Sequence, residues 1–413
     1  MNTKHSNSKL FYLVDDDALI LDTVSELLLS NGHTVHSNSS SKDALSEIIS
    51  LQPDCVILDI MMPDIDGLEL CEQLRKHESL ASTSILMLSA KPYEFDRKRA
   101  YQLGADGYIN KPINTDTFND QVTKLLQGNM NLTFWGVRGT LPVPGEGTVK
   151  YGGNTSCVSV SFPKEREFIF DAGSGIKSLS DFILSSKKGK LSGKIFISHP
   201  HWDHINALPF FAPLYIPGNE VEILGPAQGK VSIREQISAQ MDNVYFPITI
   251  KEFAARVYFT DLREETYDVD GIEVRTLLLK HPGNCLGYRV NFKGRSFCYI
   301  TDNELFLESD EYYDELYLQK LTGFIEGTDA LITDCTYFDN EYPSKVGWGH
   351  SSIGEVVKLA HQATVKNLYL FHHDPDHKDA DIDRKLDIAE KMLASMGSTT
   401  RCIAPKEKLT ISI

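Results

Sequence analysis

The chain lacks any C-x-x-C pair, and its seven cysteines (55, 71, 157, 285, 298, 335 and 402) are scattered and odd in number. That excludes a disulfide framework or a thiolate zinc site as the organising feature and fits reduced, buried thiols. No apolar run approaches the length of a bilayer span, and "MNTKHSNSK" at the amino terminus carries no signal-peptide core. No membrane partner is expected, and the location expected is cytoplasmic. Basic residues are few, 41 against 57 acidic, and no basic run relieves the formal charge of −16. Such a surface repels polyanions, so extended nucleic-acid binding would require a basic patch that the sequence does not supply. A small anionic substrate remains admissible where metal ions provide the positive charge. Internal repeats and low-complexity segments are also absent.

What is present is a chain of 413 residues, 41% hydrophobic and 24% charged, too long for one ordinary core. Over 9–127, apolar strands ("KLFYLV", "HTVHS", "CVILD", "SILMLSA", "GYIN") alternate with helical patterns at 19–32, "SKDALSEIIS", after Asp66-Gly67, around 94–103 and at 115–127. Five strands alternating with five helices predict a doubly wound parallel α/β sheet. After "LLQGNMN" the texture changes to glycine-rich loops, β-rich runs and helices near 175–186, 229–243, 312–321 and 353–363. The expected division is a first domain at 1–127, a short linker at 128–131 and a second domain at 132–413.

In a doubly wound sheet, function collects at the carboxyl ends of the strands. There the pattern places Asp15 and Asp16 after strand one, Asp59 after strand three, Ser89 after strand four and Lys111 after strand five. Converging carboxylates with a lysine suit Mg²⁺, and Asp59 could accept a phosphoryl group while Mg²⁺ and Lys111 neutralise its oxygens. This domain resembles the receiver domain of bacterial response regulators. The resemblance implies a (βα)5 fold with Asp59 as phosphoacceptor, Asp15 and Asp16 as Mg²⁺ ligands, Ser89 and Lys111 as the switch pair and Tyr108 as the switch aromatic. It also implies a sensor histidine kinase as partner.

Three of the 13 histidines crowd into "ISHPHWDHIN" (197–206), directly after the apolar "IFI". The H-x-H-x-D-H spacing lets His199 and His201 face one ion while Asp203 and His204 face another, with donors suited to Zn, Mn or Fe. Four residues cannot complete two shells, so further ligands are expected at other strand ends. His281 ends "VRTLLLKH", Asp302 ends "SFCYITD" and His372 ends "NLYLFH". With "FDAGSGI" ending at Ile176, the region resembles the metallo-β-lactamase superfamily, which implies a four-layer αββα fold with Asp171 as a supporting aspartate. Carried over, metal one takes His199, His201 and His281, metal two takes Asp203, His204 and His372, and Asp302 bridges both. His373 is a rival to His372, while Asp374 and His377 of "HDPDHKD" are expected in a loop at the pocket rim.

"WGVRGTLPVPG…YGGNTSCV" and "LITDCTYFDNEY…GWGHSS" resemble the phosphodiesterase branch that includes ribonuclease Z and cyclic-nucleotide phosphodiesterases. The resemblance makes Asp203, Asp334 and His350 candidate catalytic residues, with Asp334 either taking part directly or orienting a histidine. The expected function is a response regulator whose output is a binuclear-metal phosphodiesterase, controlled at Asp59, with a cyclic nucleotide the favoured substrate. Alternatives are a ribonuclease Z-type nuclease and a di-iron O₂- or NO-binding sensor, although the latter branch usually has a carboxylate where His201 stands. A signalling adaptor with a purely structural metal site is a third reading, and a homodimer is compatible with all of them.

Overall fold

The computed structural model describes residues 8–80, 83–90, 93–127, 130–163, 166–186, 189–244 and 246–413. The chain divides into two compact units, Met1–Asn129 with Phe162–Lys164, and Met130–Ser161 with Glu165–Ile413. Of the expected linker, residues 128 and 129 lie outside the described residues, Met130 is fully buried and Asn131 already opens a strand.

In the first unit, β1 (Leu10–Val14), β2 (Thr34–Asn38), β3 (Cys55–Asp59), β4 (Ser84–Ser89) and β5 (Gly107–Asn110) form a parallel sheet in the order β2-β1-β3-β4-β5. Helices α1 (Ala18–Ser30), α2 (Ala44–Leu51), α3 (Gly67–Arg75), α4 (Glu94–Gln102) and α5 (Thr115–Gln127) alternate with them. Phe11 and Leu13 pack with Val24, Leu28, Phe118 and Val122 on α1 and α5. Their neighbours Tyr12 and Val14 pack with Ala44, Ile48, Leu70 and Leu74 on α2 and α3. Side chains alternate faces along a strand, and both faces here are covered, so the strands read as unbroken apolar runs. Strand order reverses between β1 and β3, which opens a crevice at the ends that carry Asp15 and Asp59.

Among the described residues, the second unit holds two seven-stranded sheets. One contains β6 (Asn131–Gly136), β7 (Cys157–Ser161), β8 (Glu167–Phe170), β9 (Ser192–Phe196), β10 (Glu220–Pro226) and β11 (Arg256–Leu262). The other runs in sequence order through β12 (Thr266–Val269), β13 (Ile272–Leu278), β14 (Leu286–Phe292), β15 (Arg295–Ile300), β16 (Ala330–Asp334), β17 (Asn367–Phe371) and β18 (Arg401–Ile403). The last strand, β19 (Thr410–Ser412), returns to pair with β6.

Aromatic side chains meet between the sheets. Phe170 of β8 stacks on Phe196 of β9 at 5.1 Å and meets Phe297 and Tyr299 of β15 at 5.3 and 5.5 Å. The alternate residues Ile169 and Ile195 face outward onto α6 (Ile176–Ser186) and α8 (Ile233–Gln240), and Cys298 and Ile300 onto α9 (Glu315–Ile325) and α10 (Ile353–Gln362). (The one-turn α7, Trp202–Ile205, lies in the histidine loop.) Two helix-covered sheets joined through an aromatic interior make the αββα sandwich.

Helix α11 (Asp379–Ser395) is a 17-residue element absent from the sequence-based expectation. Its buried stripe is Ile382, Lys385, Ala389 and Leu393. A lysine in the stripe breaks the apolar periodicity by which such a helix is read. The expected helices at 229–243 and 312–321 are observed at 233–240 and 315–325. No helix among the described residues is long and apolar enough to cross a membrane.

Candidate metal centre and phosphoacceptor site

In the first unit, Lys111 Nζ donates to Asp15 Oδ2 at 2.8 Å and Asp59 Oδ1 at 2.6 Å. Burial raises the Asp59 carboxyl above its ordinary range despite the neighbouring ammonium. Lys111, whose burial works against its charge, is nevertheless pushed up by Asp15 and Asp59. Asp16 is exposed and Ser89 is buried. Tyr108 is buried too, with the Arg97 guanidinium 5.7 Å from its ring centroid.

In the second unit, strand ends converge. The loop after β9 carries His199, His201, Asp203 and His204. Asp171 follows β8, Asp302 follows β15, Asp334 ends β16 and His372 follows β17. Asp171, Asp302 and His372 take φ of 59°, 47° and 54°, the left-handed region that costs a non-glycine residue about 1–3 kcal/mol. Each of these residues turns its side chain out of the strand path into the common site.

Ligand atoms of His199, His201, His281 and Asp302 lie within 4.8 Å of one another, as do those of Asp203, His204, Asp302 and His372. In the first set, His201 Nδ1 is 2.8 Å from His199 Nε2 and 3.0 Å from His281 Nε2. Burial holds all three imidazoles below their ordinary pKa, so they are neutral bases. In the second set, Asp203 Oδ2 is 3.1 Å from both His204 Nε2 and His372 Nε2. Asp302 divides its carboxylate. Oδ1 is 3.2 Å from His204 Nε2 and 3.0 Å from His372 Nε2, whereas Oδ2 is 3.5 Å from His199 Nε2 and 3.7 Å from His281 Nε2.

Tautomers follow from the outer partners, because carboxylates and carbonyls only accept. His204 Nδ1 lies 2.7 Å from Asp171 Oδ2, and His281 Nδ1 lies 2.9 Å from the Gly349 carbonyl oxygen. Both Nδ1 atoms therefore carry a proton, leaving Nε2 free to ligate. Among the described residues the buried His204 Nε2 has no hydrogen-bond partner, and it faces two carboxylates at 3.1 and 3.2 Å. Burial alone would keep His204 neutral, but Asp203, Asp302 and Asp171 raise its pKa well above the ordinary value. The site thus calls for cations, and its imidazole and carboxylate donors fit divalent metals.

His350 Nδ1 is 2.7 Å from Asp334 Oδ2, and its ring stacks 4.9 Å from that of His372. Asp334 Oδ1 accepts from the Thr336 hydroxyl at 2.8 Å, which places Asp334 as the holder of His350. The "WGVRG" loop borders the centre, since the Thr140 amide donates to Asp203 Oδ2 at 2.7 Å. A Cβ on Gly139 would lie 2.2 Å from the His372 ring, so only glycine fits. His373 is buried, neither of its ring nitrogens has a partner among the described residues, and it belongs to no candidate ligand group, while His377 pairs with Glu341 at 3.1 Å.

Two family descriptions match this sequence, a response regulator receiver domain over residues 11–123 and a beta-lactamase superfamily domain over residues 166–373. The second spans half of the chain. This chain belongs to the beta-lactamase superfamily. A receiver domain is fused in front of its beta-lactamase-fold domain. The receiver part is 36% identical over 120 residues to the alkaline phosphatase synthesis transcriptional regulatory protein PhoP of Bacillus subtilis, covering 29% of this chain and 49% of that protein. It is 35% identical over 122 residues to the transcriptional regulatory protein GltR of Pseudomonas aeruginosa, covering 30% and 50%. The chain thus spans about half the length of these two curated relatives. The metallo-beta-lactamase fold protein YhfI of Bacillus subtilis matches 69% of this chain and 100% of its own, at 16% identity and a TM-score of 0.51, a likeness of fold.

Within the beta-lactamase-fold domain the sequence reading missed the supporting groups. The Ser198 hydroxyl donates to Asp171 Oδ2 at 2.9 Å, and the Tyr299 hydroxyl donates to the same oxygen at 2.8 Å. Tyr299 carried a signal, since a phenol on the sandwich face of a buried strand must find an acceptor.

Proposed function

We propose that this response regulator is a binuclear-metal phosphodiesterase acting on a cyclic nucleotide or another small phosphodiester, under control of phosphorylation at Asp59. The observation that carries the reading is the division of Asp302, with one oxygen toward His199 and His281 and the other toward His204 and His372. On this reading His199, His201 and His281 hold one ion, Asp203, His204 and His372 hold the other, and Asp302 serves both. Two divalent ions (Zn, Mn or Fe) would supply Lewis acidity and an activated water.

The chain's own groups supply the rest. Burial opposes charge on His350, yet Asp334, Asp302 and Asp203 together raise its pKa to about 9. Asp334 accepts from Nδ1–H, and in the imidazolium form Nε2 carries a second proton that it could donate to the departing oxygen, leaving the neutral imidazole. Cations held beside it would lower that pKa, since nearby positive charge disfavours the imidazolium. Exposed rings beside the ligands support a substrate with a flat base. Trp202, between His201 and Asp203, is 82% exposed, and Trp348, two residues before His350, is 57% exposed. Lys345 Nζ covers one face of Trp348 at 4.1 Å from its centroid, and a nucleobase stacked on an aromatic ring gains about 1–3 kcal/mol.

In the receiver, Asp59 would attack the phosphorus of a phosphohistidine on a sensor kinase and displace its imidazole, Asp15 and Asp16 would hold Mg²⁺, and Lys111 would neutralise the transferred oxygens. Ser89 and Tyr108 answer the new charge. Turnover of a panel of cyclic nucleotides and of bis-p-nitrophenyl phosphate, with metal content measured on the same sample, tests the reading. Hydrolysis at two metals per chain, abolished by chelation, is expected. Absence of turnover at full metal occupancy would refute it.

A further inference from the structure

Lys385 is fully buried in the middle of α11, in a position that apolar residues occupy elsewhere along the same stripe. Its Nζ donates to two consecutive carbonyl oxygens, Cys335 at 2.7 Å and Thr336 at 2.6 Å. A buried ammonium costs several kcal/mol unless its hydrogen bonds are made, so its place in a core stripe calls for an explanation. The two carbonyls belong to the turn that leaves β16, and this turn supports both halves of the centre. Asp334 Oδ2 holds His350 Nδ1 at 2.7 Å, and Asp334 Oδ1 accepts from the Thr336 amide at 3.0 Å and the Thr336 hydroxyl at 2.8 Å. The same hydroxyl lies 2.8 Å from the His372 carbonyl oxygen and 3.2 Å from His372 Nδ1.

We infer that Lys385 is a positioning residue for the centre: by clamping the Cys335 and Thr336 carbonyls it sets the Asp334–His350 pair and the ring of His372 from a helix that contributes no residue to the ligand sets. The inference rests on the proposed binuclear reading of that site. Two successive carbonyls turned toward one point leave the alternation of a strand, and a single cation with several rotatable donors satisfies both. Without it the carbonyls seek other donors, the turn relaxes, and Asp334 and Thr336 move together. Misplacement of a catalytic group by about 1 Å costs on the order of 100-fold in rate.

The test uses the full chain and two readouts, turnover and the absorption spectrum of the cobalt(II)-loaded protein. Lys385→Met, of similar length and uncharged, should retain two metals per chain and a wild-type KM while kcat falls about 10- to 100-fold. Its cobalt spectrum should shift, because the ring of His372 turns, and Lys385→Arg should restore much of both. If Lys385→Met does not fold, Lys385→Gln keeps two N–H donors without the charge and should give a milder form of the same pattern. Unchanged kcat and spectrum in a folded variant would overturn the inference. So would equal loss of metal, stability and turnover in the Met, Gln and Arg variants, since the lysine would then only support the core. If the wild type hydrolyses no diester, the phosphodiesterase reading fails, while the cobalt spectra still decide the role of Lys385.

Discussion

His350 and Asp302 sit on the same centre but answer to different measurements. His350 is held by Asp334 and belongs to neither set that includes the histidine loop, although its ring nitrogen also lies within 4.8 Å of ligand atoms of Asp302, Asp334 and His372. His350→Ala should keep both metals and lower kcat by about 10²–10⁴-fold. The loss should shrink with a p-nitrophenolate leaving group, which needs no proton, and an equal loss for both substrate types would mean that His350 positions substrate instead. Asp302→Asn removes charge from both sets, so metal occupancy and diester turnover should fall together. Full occupancy with full turnover in that variant would contradict the shared-ligand assignment.

In the receiver, burial raises the Asp59 pKa, so folding disfavours its ionised form. The stability cost is absent below the ordinary carboxylate range and complete above the folded pKa. Asp59→Asn should therefore raise the melting temperature at neutral pH, and the gain should fade as the pH falls toward about 4, as followed by calorimetry on the full chain.

Among the elements, strand ends and the loops beyond them do the positioning. The loop before α10 shows how tightly one backbone group is used. Gly349 has φ +87°, its carbonyl sets the tautomer of His281, and a Cβ there would lie 2.2 Å from His281 Nδ1. Gly349→Ala combines left-handed strain of about 1–3 kcal/mol with a direct clash, so it should loosen the ion held by His199, His201 and His281. Competitive chelator titration should show one metal weakened well before the other. Equal affinity for both, unchanged from wild type, would show that the loop adapts.

For the molecule as a whole, the fusion of a receiver to a hydrolase-like domain predicts regulated turnover. Beryllofluoride or acetyl phosphate with Mg²⁺ should change diester hydrolysis, upward in our expectation, and Asp59→Asn should abolish the response. Coupling between the sites is bounded at about 1–3 kcal/mol, or 5- to 150-fold. Turnover and oligomeric state that both stay constant on verified phosphorylation would show that the receiver serves another purpose.

The sequence by itself determined the alternating strands and helices of the first unit and, for the second, a β-rich region with candidate donor residues after its apolar runs. Fully buried strands are apolar on both faces and so stand out, and H-x-H-x-D-H places four donors within six residues, a local pattern. His372 directly follows the buried β17 and Asp302 lies two residues beyond β15, whereas His281 lies three residues beyond β13, whose residues alternate between buried and exposed. What the sequence could not decide is orientation. That Asp302 turns one oxygen to each set, that Asp171 gathers His204, Ser198 and Tyr299, and that Lys385 lies inside a helical stripe all depend on groups far apart in the chain. Tyr299 and Asp171 are 128 residues apart. Lys385 hid α11 because its charge interrupts the periodicity by which a helix is recognised. Its partners, the carbonyls of Cys335 and Thr336, carry no side-chain signature. Backbone acceptors and left-handed turns are common to every sequence, and only packing selects which of them a site will use.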